Sequence, residues 1–103
     1  MKNLLTTGAL AALAIATPDF AAAQSATVKQ IMERGTMLCS GHNGSYFGFV
    51  EVNDKNEWKG LDIDLCRAMT TAILGDPDTV QIVPLSCAPR FPALPSGHVD
   101  III

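Results

Sequence analysis

The sequence has 103 residues, a formal net charge of −3 and 49% hydrophobic residues. A chain of this length suits one small domain. Its seven Lys and Arg residues form no basic patch, which argues against nucleic acid or an anionic membrane as a partner. The composition therefore predicts a single small domain that does not bind nucleic acid.

Residues 1–23 have the pattern of a secretory signal peptide. Lys2 gives a positive start, residues 4–16 are apolar, and small residues precede a cleavage site after Ala23. A membrane-spanning helix is the alternative, but the apolar run is shorter than the ~20 residues that a bilayer core requires. The sequence therefore predicts export, with residues 24–103 forming the mature chain.

The first predicted elements are a short helix and a strand. Residues 27–34 have helical apolar spacing, with Thr27 placed to cap the start and Gly35 placed to end the helix. The following "TMLCSG" is a continuous apolar run, which is typical of a strand covered on both faces. A glycine-rich aromatic loop comes next, and "FVEVNDKNEWKG" predicts a hairpin.

The strongest helix signal is "GLDIDLCRAMTTAILGDPD". Apolar residues recur every four positions, which predicts an inward face that also includes Cys66. Gly75 is placed to end this helix. The predicted inward residues are Leu61, Leu65, Met69 and Ile73.

Two strands and a weak helix complete the pattern. "TVQIVPL" predicts a strand in which Pro84 lies near an edge or a bend. "CAPRFPALPSGH" predicts a kinked or shortened helix because its prolines oppose a regular one. The final "VDIII" predicts a buried strand, and its position at the end of the chain indicates an N-terminal fragment of a larger protein.

This alternation of helices and strands predicts an α/β fold with a mostly parallel sheet and crossover helices. The three cysteines and two histidines have spacings too irregular for a zinc site, so no metal is expected. Asp62 and Asp64 are two positions apart on a helix, so they point in different directions and do not form a catalytic pair.

Five stretches together resemble a known family. They are "LCSG", a nearby "GF", "DKNEWKGLDIDLCRA", "GDPDTVQIVPLS" and "RFPALPSGHVDI", in this order. The set closely resembles the periplasmic substrate-binding proteins of amino-acid ABC importers, solute-binding protein family 3, in the general or polar amino-acid subgroup. The resemblance implies a type II periplasmic-binding-protein fold with two α/β lobes around a ligand cleft. Residues 24–103 correspond to the N-terminal part of lobe 1, without the rest of lobe 1 or lobe 2.

The resemblance also implies ligand contacts in the aromatic loop. Tyr46 is the first candidate, because an aromatic ring can cover an amino acid and attract its ammonium group. Phe47 is an alternative, and Ser45 and Asn43 are candidates for hydrogen bonds to a polar ligand. Phe49 is expected to be a core anchor.

The cysteines permit two interpretations. Cys39 and Cys66 lie in the family-like motifs "LCSG" and "DLCRA", on a strand and on the helix expected to cover it. They either form a disulfide, which the exported compartment permits, or remain buried thiols. Cys87 is expected to be unpaired.

The resemblance implies a periplasmic binding protein without enzymatic activity or cofactors. Its partners would be an L-amino acid and an ABC transporter permease in the inner membrane. Two alternatives stay open: an enzyme on the same fold, such as a periplasmic cyclohexadienyl dehydratase, or a truncated fragment without function.

Overall fold

The computed structural model describes residues 25–103. The predicted signal peptide, with its cleavage site after Ala23, lies outside these residues. The described elements follow in the order α1 (Ala26–Arg34), β1 (Met37–His42), β2 (Glu51–Val52), β3 (Trp58–Lys59), α2 (Leu61–Leu74), β4 (Val80–Leu85) and α3 (Cys87–Ala93). Between residues 25 and 103, no helix is long and apolar enough to cross a membrane. The alternating elements confirm the predicted α/β class.

Helix α1 begins earlier than predicted. Its cap is Ser25, whose Oγ accepts a hydrogen bond from the Val28 N–H at 3.2 Å, so the prediction of Thr27 as the cap was wrong. Both residue types can cap, and Ser25 adds part of a turn to the helix. Gly35 ends the helix as predicted, at φ 70°, with its N–H bonded to the Ile31 carbonyl.

The two longer strands pair in parallel, as predicted. Their register runs from Met37 opposite Val80 to His42 opposite Leu85. Both strands therefore end at the same edge of the sheet. Pro84 lies opposite Gly41, near the end of β4. Among the described elements β4 pairs only with β1, so it is an edge strand, the kind of strand in which proline is tolerated.

Helix α2 covers the sheet with a different face from the one predicted. Its buried residues are Ile63, Cys66 and Thr70, whereas Leu61 and Leu65 are 53% and 46% exposed. The prediction that these two leucines face inward was wrong. Met69 and Ile73 do pack against the core, and Gly75 ends the helix as expected.

A disulfide joins the helix to the sheet. Cys39 and Cys66 are bonded, with a Cα–Cα distance of 6.2 Å, and both are fully buried. This outcome decides between the two alternatives that the sequence left open. The bond lies within a cluster of buried residues that also contains Ile31 and Met37.

The last segment lies along the free edge of β1. Ile101 forms an isolated parallel bridge with Cys39, and the Ser40 N–H donates to the Ile101 carbonyl at 3.0 Å. The predicted buried strand is therefore reduced to a single bridge, and residues 101–103 are half-buried. Before it, Asp100 fixes the segment by accepting hydrogen bonds from the Leu38 N–H and from Arg34.

Candidate ligand-binding site

Backbone hydrogen bonds within the loop between β1 and β2 hold this loop in its shape. Tyr46 and Val50 bond to each other through both N–H groups, at 2.7 and 3.0 Å, and Gly48 takes the positive φ of 82° that this tight turn requires. The predicted hairpin of β2 and β3 follows directly. The backbone of the loop is therefore held in one shape by its own hydrogen bonds.

This loop also caps the start of α2. The N–H groups of Leu61 and Asp62 donate to the carbonyls of Gly48 and Phe49, each at 3.0 Å. These bonds satisfy N–H groups at the helix start that would otherwise lack partners. Gly60 makes the approach possible, because a Cβ at this position would collide with the Phe49 carbonyl. The aromatic loop and the start of α2 are consequently one unit.

A carboxylate strengthens the same unit. The Glu51 carboxylate accepts a hydrogen bond from the Gly48 N–H at 2.9 Å. It also forms an ion pair with the Lys59 ammonium group at 3.0 Å. The Gly48 hydrogen bond, followed by the interaction with Lys59, lowers the pKa of Glu51 below its ordinary value of 4.5. The turn is thus held by a charge-assisted bond at neutral pH.

One pocket, which we call the aromatic pocket, lies at the carboxyl ends of β1 and β4. It has a volume of about 280 Å³ and is lined by His42, Tyr46, Phe49, Val50, Asp62, Cys87 and Arg90. In open α/β sheets, ligands bind at this end of the strands. The pocket therefore combines two aromatic rings, a carboxylate and a guanidinium in the usual place for a ligand.

The contacts within this pocket join β1 to α3. The His42 imidazole packs edge-on against the Tyr46 ring at a centroid distance of 4.5 Å. Its Nε2 atom lies 3.9 Å from the Cys87 Sγ atom. Arg90 donates to the Ile103 carbonyl at 3.3 Å, and its Nε is buried without a partner among the described residues.

The predicted site residues are divided between two surfaces. Tyr46 lines the aromatic pocket, together with Phe49, which is 57% exposed and therefore not the core anchor that was expected. Ser45 and Phe47 line a second pocket of about 340 Å³ with Glu51 and Lys59. Asn43 is exposed and lines neither.

Sequence reasoning did not select the other lining residues. Asp62 was considered only as half of a catalytic pair, which was rejected, and His42, Cys87 and Arg90 received no binding role. A usable signal was present: His42 ends β1, and Cys87 follows two positions after β4. Residues that end neighbouring parallel strands meet at one edge.

The sequence profile of one family matches residues 38–103: bacterial extracellular solute-binding proteins, family 3. The chain belongs to this family. The family resemblance predicted from the sequence motifs is thereby confirmed. The partial periplasmic-binding fold is confirmed as well, because the solved structures that match include periplasmic binding proteins. Within residues 25–103, no group of three or more acidic, histidine or cysteine residues could hold a metal ion.

Two curated relatives of this family-3 chain are binding proteins. It is 34% identical over 102 residues to the general L-amino acid-binding periplasmic protein AapJ of Rhizobium johnstonii, covering 99% of this chain and 29% of AapJ. It is 38% identical over 82 residues to the glutamate/glutamine/aspartate/asparagine-binding protein BztA of Rhodobacter capsulatus, covering 80% of this chain and 24% of BztA. The chain thus spans less than a third of these relatives.

Solved structures agree on the fold. A periplasmic binding protein of an ABC transporter from Brucella ovis, with glutathione bound, matches with a TM-score of 0.69 and 44% identity over 75% of this chain and 24% of that one. An ancestral cyclohexadienyl dehydratase matches with a TM-score of 0.62 and 28% identity over 73% of this chain and 30% of that one. The fold is therefore shared by binding proteins and at least one enzyme.

Proposed function

We propose that residues 25–103 form one wall of the amino-acid site in a periplasmic solute-binding protein that delivers L-amino acids to an ABC permease of the inner membrane. The observation that carries this proposal is the aromatic pocket at the carboxyl ends of β1 and β4. Residues 1–23 would direct the protein to the periplasm as a cleaved signal peptide.

The chemistry of the pocket suits a zwitterion. The rings of Tyr46 and Phe49 offer an apolar face that can cover carbon atoms and attract an ammonium group. Asp62 and Arg90 add opposite charges to the same wall, and charge-assisted hydrogen bonds are the strong ones in recognising carboxylate and ammonium groups. An amino acid carries all three features.

The relatives guide the choice of ligands to test. AapJ is named for general L-amino acids, BztA for glutamate, glutamine, aspartate and asparagine, and the Brucella ovis protein contains glutathione. The panel therefore comprises these four amino acids and glutathione.

An enzyme on this fold remains the second candidate, favoured by the similarity to the ancestral dehydratase. The two carboxylates in the first turn of α2, Asp62 and Asp64, do not support it. Asp62 lines the aromatic pocket, whereas Asp64 pairs with Arg67 at 3.8 Å. The two do not converge as an acid–base pair would. Turnover of a cyclohexadienyl substrate by the whole protein, without amino-acid binding, would favour the enzyme.

The decisive test is calorimetric titration of the whole exported protein with the panel. We expect binding of at least one amino acid, and Tyr46→Ala should weaken it about tenfold because the aromatic cover is lost. Phe47→Ala is the matched aromatic truncation on the second pocket, one residue away. A loss with Phe47→Ala and not with Tyr46→Ala would move the site to the surface of Ser45 and Phe47, as one of the sequence alternatives holds. No binding by the wild type would refute the proposal.

A further inference from the structure

An exposed Asn-Gly pair follows β1 and has no role in the proposed function. The sequence has four asparagines, at positions 3, 43, 53 and 56, and only Asn43 precedes a glycine. The pair comes directly after His42, the last residue of β1, and Asn43 is exposed. Because Gly44 has no Cβ, its backbone nitrogen is open to the side chain before it. The Asn43 amide carbon is therefore accessible to the nitrogen of the next residue.

The Asn43 side chain is also free to turn, in contrast to that of Asn53. Within residues 25–103, the Asn43 amide has no hydrogen-bond partner. The Asn53 Oδ1 atom accepts from the N–H groups of Lys55 and Glu57, each at 2.9 Å. The Asn53 Nδ2 atom donates to the Glu57 carboxylate at 2.6 Å. These bonds hold the Asn53 amide in place, whereas nothing in the described part of the chain holds that of Asn43.

An imidazole nitrogen contacts the backbone nitrogen of the same pair. The Gly44 N–H donates to the His42 Nδ1 atom at 2.9 Å. Because an N–H group can only donate, this ring nitrogen is the acceptor and carries no proton. The ring is further held by its edge-on contact with Tyr46, at a centroid distance of 4.5 Å. An oriented, unprotonated imidazole within hydrogen-bond reach of an N–H proton has the geometry of a general base.

We propose that Asn43 is a self-modification site, converted to aspartyl and isoaspartyl forms with His42 as the general base. The Gly44 N–H proton passes to His42 Nδ1, and the Gly44 nitrogen bonds to the side-chain carbonyl carbon of Asn43. The bond from that carbon to its amide nitrogen breaks, and ammonia leaves with the proton that the imidazole returns. Water then opens the cyclic imide at either carbonyl. One water is consumed and one ammonia released, and the imidazole ends as it began.

The product changes the loop that carries Tyr46. Either form adds a carboxylate to the chain directly after β1. The isoaspartyl form also adds one carbon to the backbone between His42 and Tyr46, whose rings pack against each other and line the aromatic pocket. This added length displaces one ring from the other. Conversion should therefore weaken ligand binding at the aromatic pocket, a consequence that rests on the proposed function, whereas the modification does not.

The first test compares the folded and unfolded states of one protein. The whole exported protein is incubated at neutral pH, folded in buffer or unfolded in urea, and peptide mapping follows the aspartyl and isoaspartyl forms at Asn43. We expect conversion at least about tenfold faster in the folded protein, because the fold holds His42 against the Gly44 nitrogen. Asn53 is the internal control and should stay unmodified. Equal or slower conversion in the folded protein would overturn the inference, since the hydrogen bond would then protect the Gly44 N–H.

Two histidine variants separate the base from the hydrogen bond. His42→Asn keeps an acceptor, because an asparagine side chain can bond the N–H two residues on, but an amide oxygen is not a base. It should slow conversion at least about tenfold in the folded protein. His98→Asn is the matched control, since His98 is the other histidine of the sequence and is exposed, and it should leave the rate unchanged. An unchanged rate in His42→Asn would contradict the assigned role.

Binding is measured last, on fresh and converted protein. The panel amino acid that binds the fresh protein best should bind the converted protein about tenfold more weakly. Equal affinity would overturn the effect on the pocket while the modification stands. Failure of the fresh protein to bind any member of the panel would overturn the proposed function and leave the conversion of Asn43 to be decided by peptide mapping alone.

Discussion

At the residue scale, Gly41 shows how closely the hairpin packs on β1. A Cβ atom at Gly41 would lie 2.5 Å from Ile82 Cγ2 and 3.2 Å from the Trp58 ring. Both neighbours are rigid side chains on other strands, so neither can move aside cheaply. The absence of a side chain at Gly41 is what lets Trp58 cover the sheet.

Gly41→Ala should therefore destabilise the fold. Added volume in a packed site costs typically about 1–3 kcal/mol in the free energy of unfolding. Gly44→Ala is the matched control, since its Cβ would meet only His42 at an ordinary 3.4 Å, and we expect a change within about 0.5 kcal/mol. Urea denaturation of both variants measures the difference. Equal losses in the free energy of unfolding for Gly41→Ala and Gly44→Ala would show that Trp58 and Ile82 can move away from position 41.

Glu51 gives a prediction about pH. Its pKa is lowered in the folded state by the Gly48 hydrogen bond and then by Lys59. A lowered folded pKa means that the stabilising contribution is present above the unfolded value, near 4.5, and is lost as the pH falls through the folded pKa. We expect the free energy of unfolding of the wild type to fall more steeply below pH 4.5 than that of Glu51→Gln.

A second carboxylate variant serves as the control for this pH dependence. Glu33→Gln removes an exposed carboxylate of α1, whose partner Lys29 lies 3.9 Å away. The free energy of unfolding of Glu33→Gln, plotted against pH, should run parallel to that of the wild type. The measurement is urea denaturation at several pH values between 3 and 7, and parallel curves for wild type and Glu51→Gln would contradict the assigned role.

At the element scale, the disulfide is a covalent link between α2 and the sheet. Cys39 and Cys66 are 27 positions apart, and closing a loop of this length removes enough unfolded-state entropy to stabilise the fold by about 3.5 kcal/mol. The bond also lies in the cluster with Ile31 and Met37. The attachment of α2 therefore depends on oxidation as well as on packing.

The double variant Cys39→Ala and Cys66→Ala should lose about 3.5 kcal/mol, plus a smaller cost for the lost sulfur atoms. Cys87→Ser keeps the disulfide and removes an exposed thiol, so its free energy of unfolding should match the wild type. Chemical denaturation under oxidising and reducing conditions distinguishes the three proteins. A loss of less than about 1 kcal/mol in the double variant would mean that packing alone holds α2.

The elements also show what the sequence could and could not predict. Helix ends were predictable at Gly35 and Gly75, because only a left-handed backbone fits there and glycine permits it. The buried face of α2 was not. Residues spaced by four advance about 40° around a helix at each step, so the stripe that begins at Leu61 turns toward the sheet only by Met69 and Ile73.

The sequence predicted which loop forms the candidate site, but not which residues of that loop share a pocket. The aromatic loop was identified, but the separation of Tyr46 and Phe47 onto two pockets was not. That separation is set by bonds to a distant part of the chain, such as the Leu61 N–H to the Gly48 carbonyl. Local sequence does not encode which side of a loop each ring faces when long-range contacts fix the loop.

At the scale of the whole molecule, the described part of the chain exposes as many large hydrophobic residues as it buries hydrophobic residues of any size. Eight hydrophobic residues are buried in the described part of the chain: Ile31, Met37, Cys39, Val50, Ile63, Cys66, Ala93 and Val99. Eight large hydrophobic residues are exposed there: Met32, Tyr46, Phe47, Phe49, Leu61, Leu65, Phe91 and Leu94. A domain of this size gains little stability from so small a core.

When residues 24–103 are produced alone, they should therefore unfold with a small enthalpy and over a broad temperature range. The reason is that the exposed apolar side chains and the unpaired edge of β4 favour association and loose packing over a single cooperative core. Scanning calorimetry should give an unfolding enthalpy well below the ordinary ~0.7 kcal/mol per residue. An apolar dye should bind at neutral pH. Titration with amino acids should give no heat.

Full-length AapJ, which covers the same segment and continues beyond it, is the control and should unfold sharply. A sharp transition of ordinary enthalpy in residues 24–103, together with amino-acid binding, would show instead that this segment is a complete folding and binding unit.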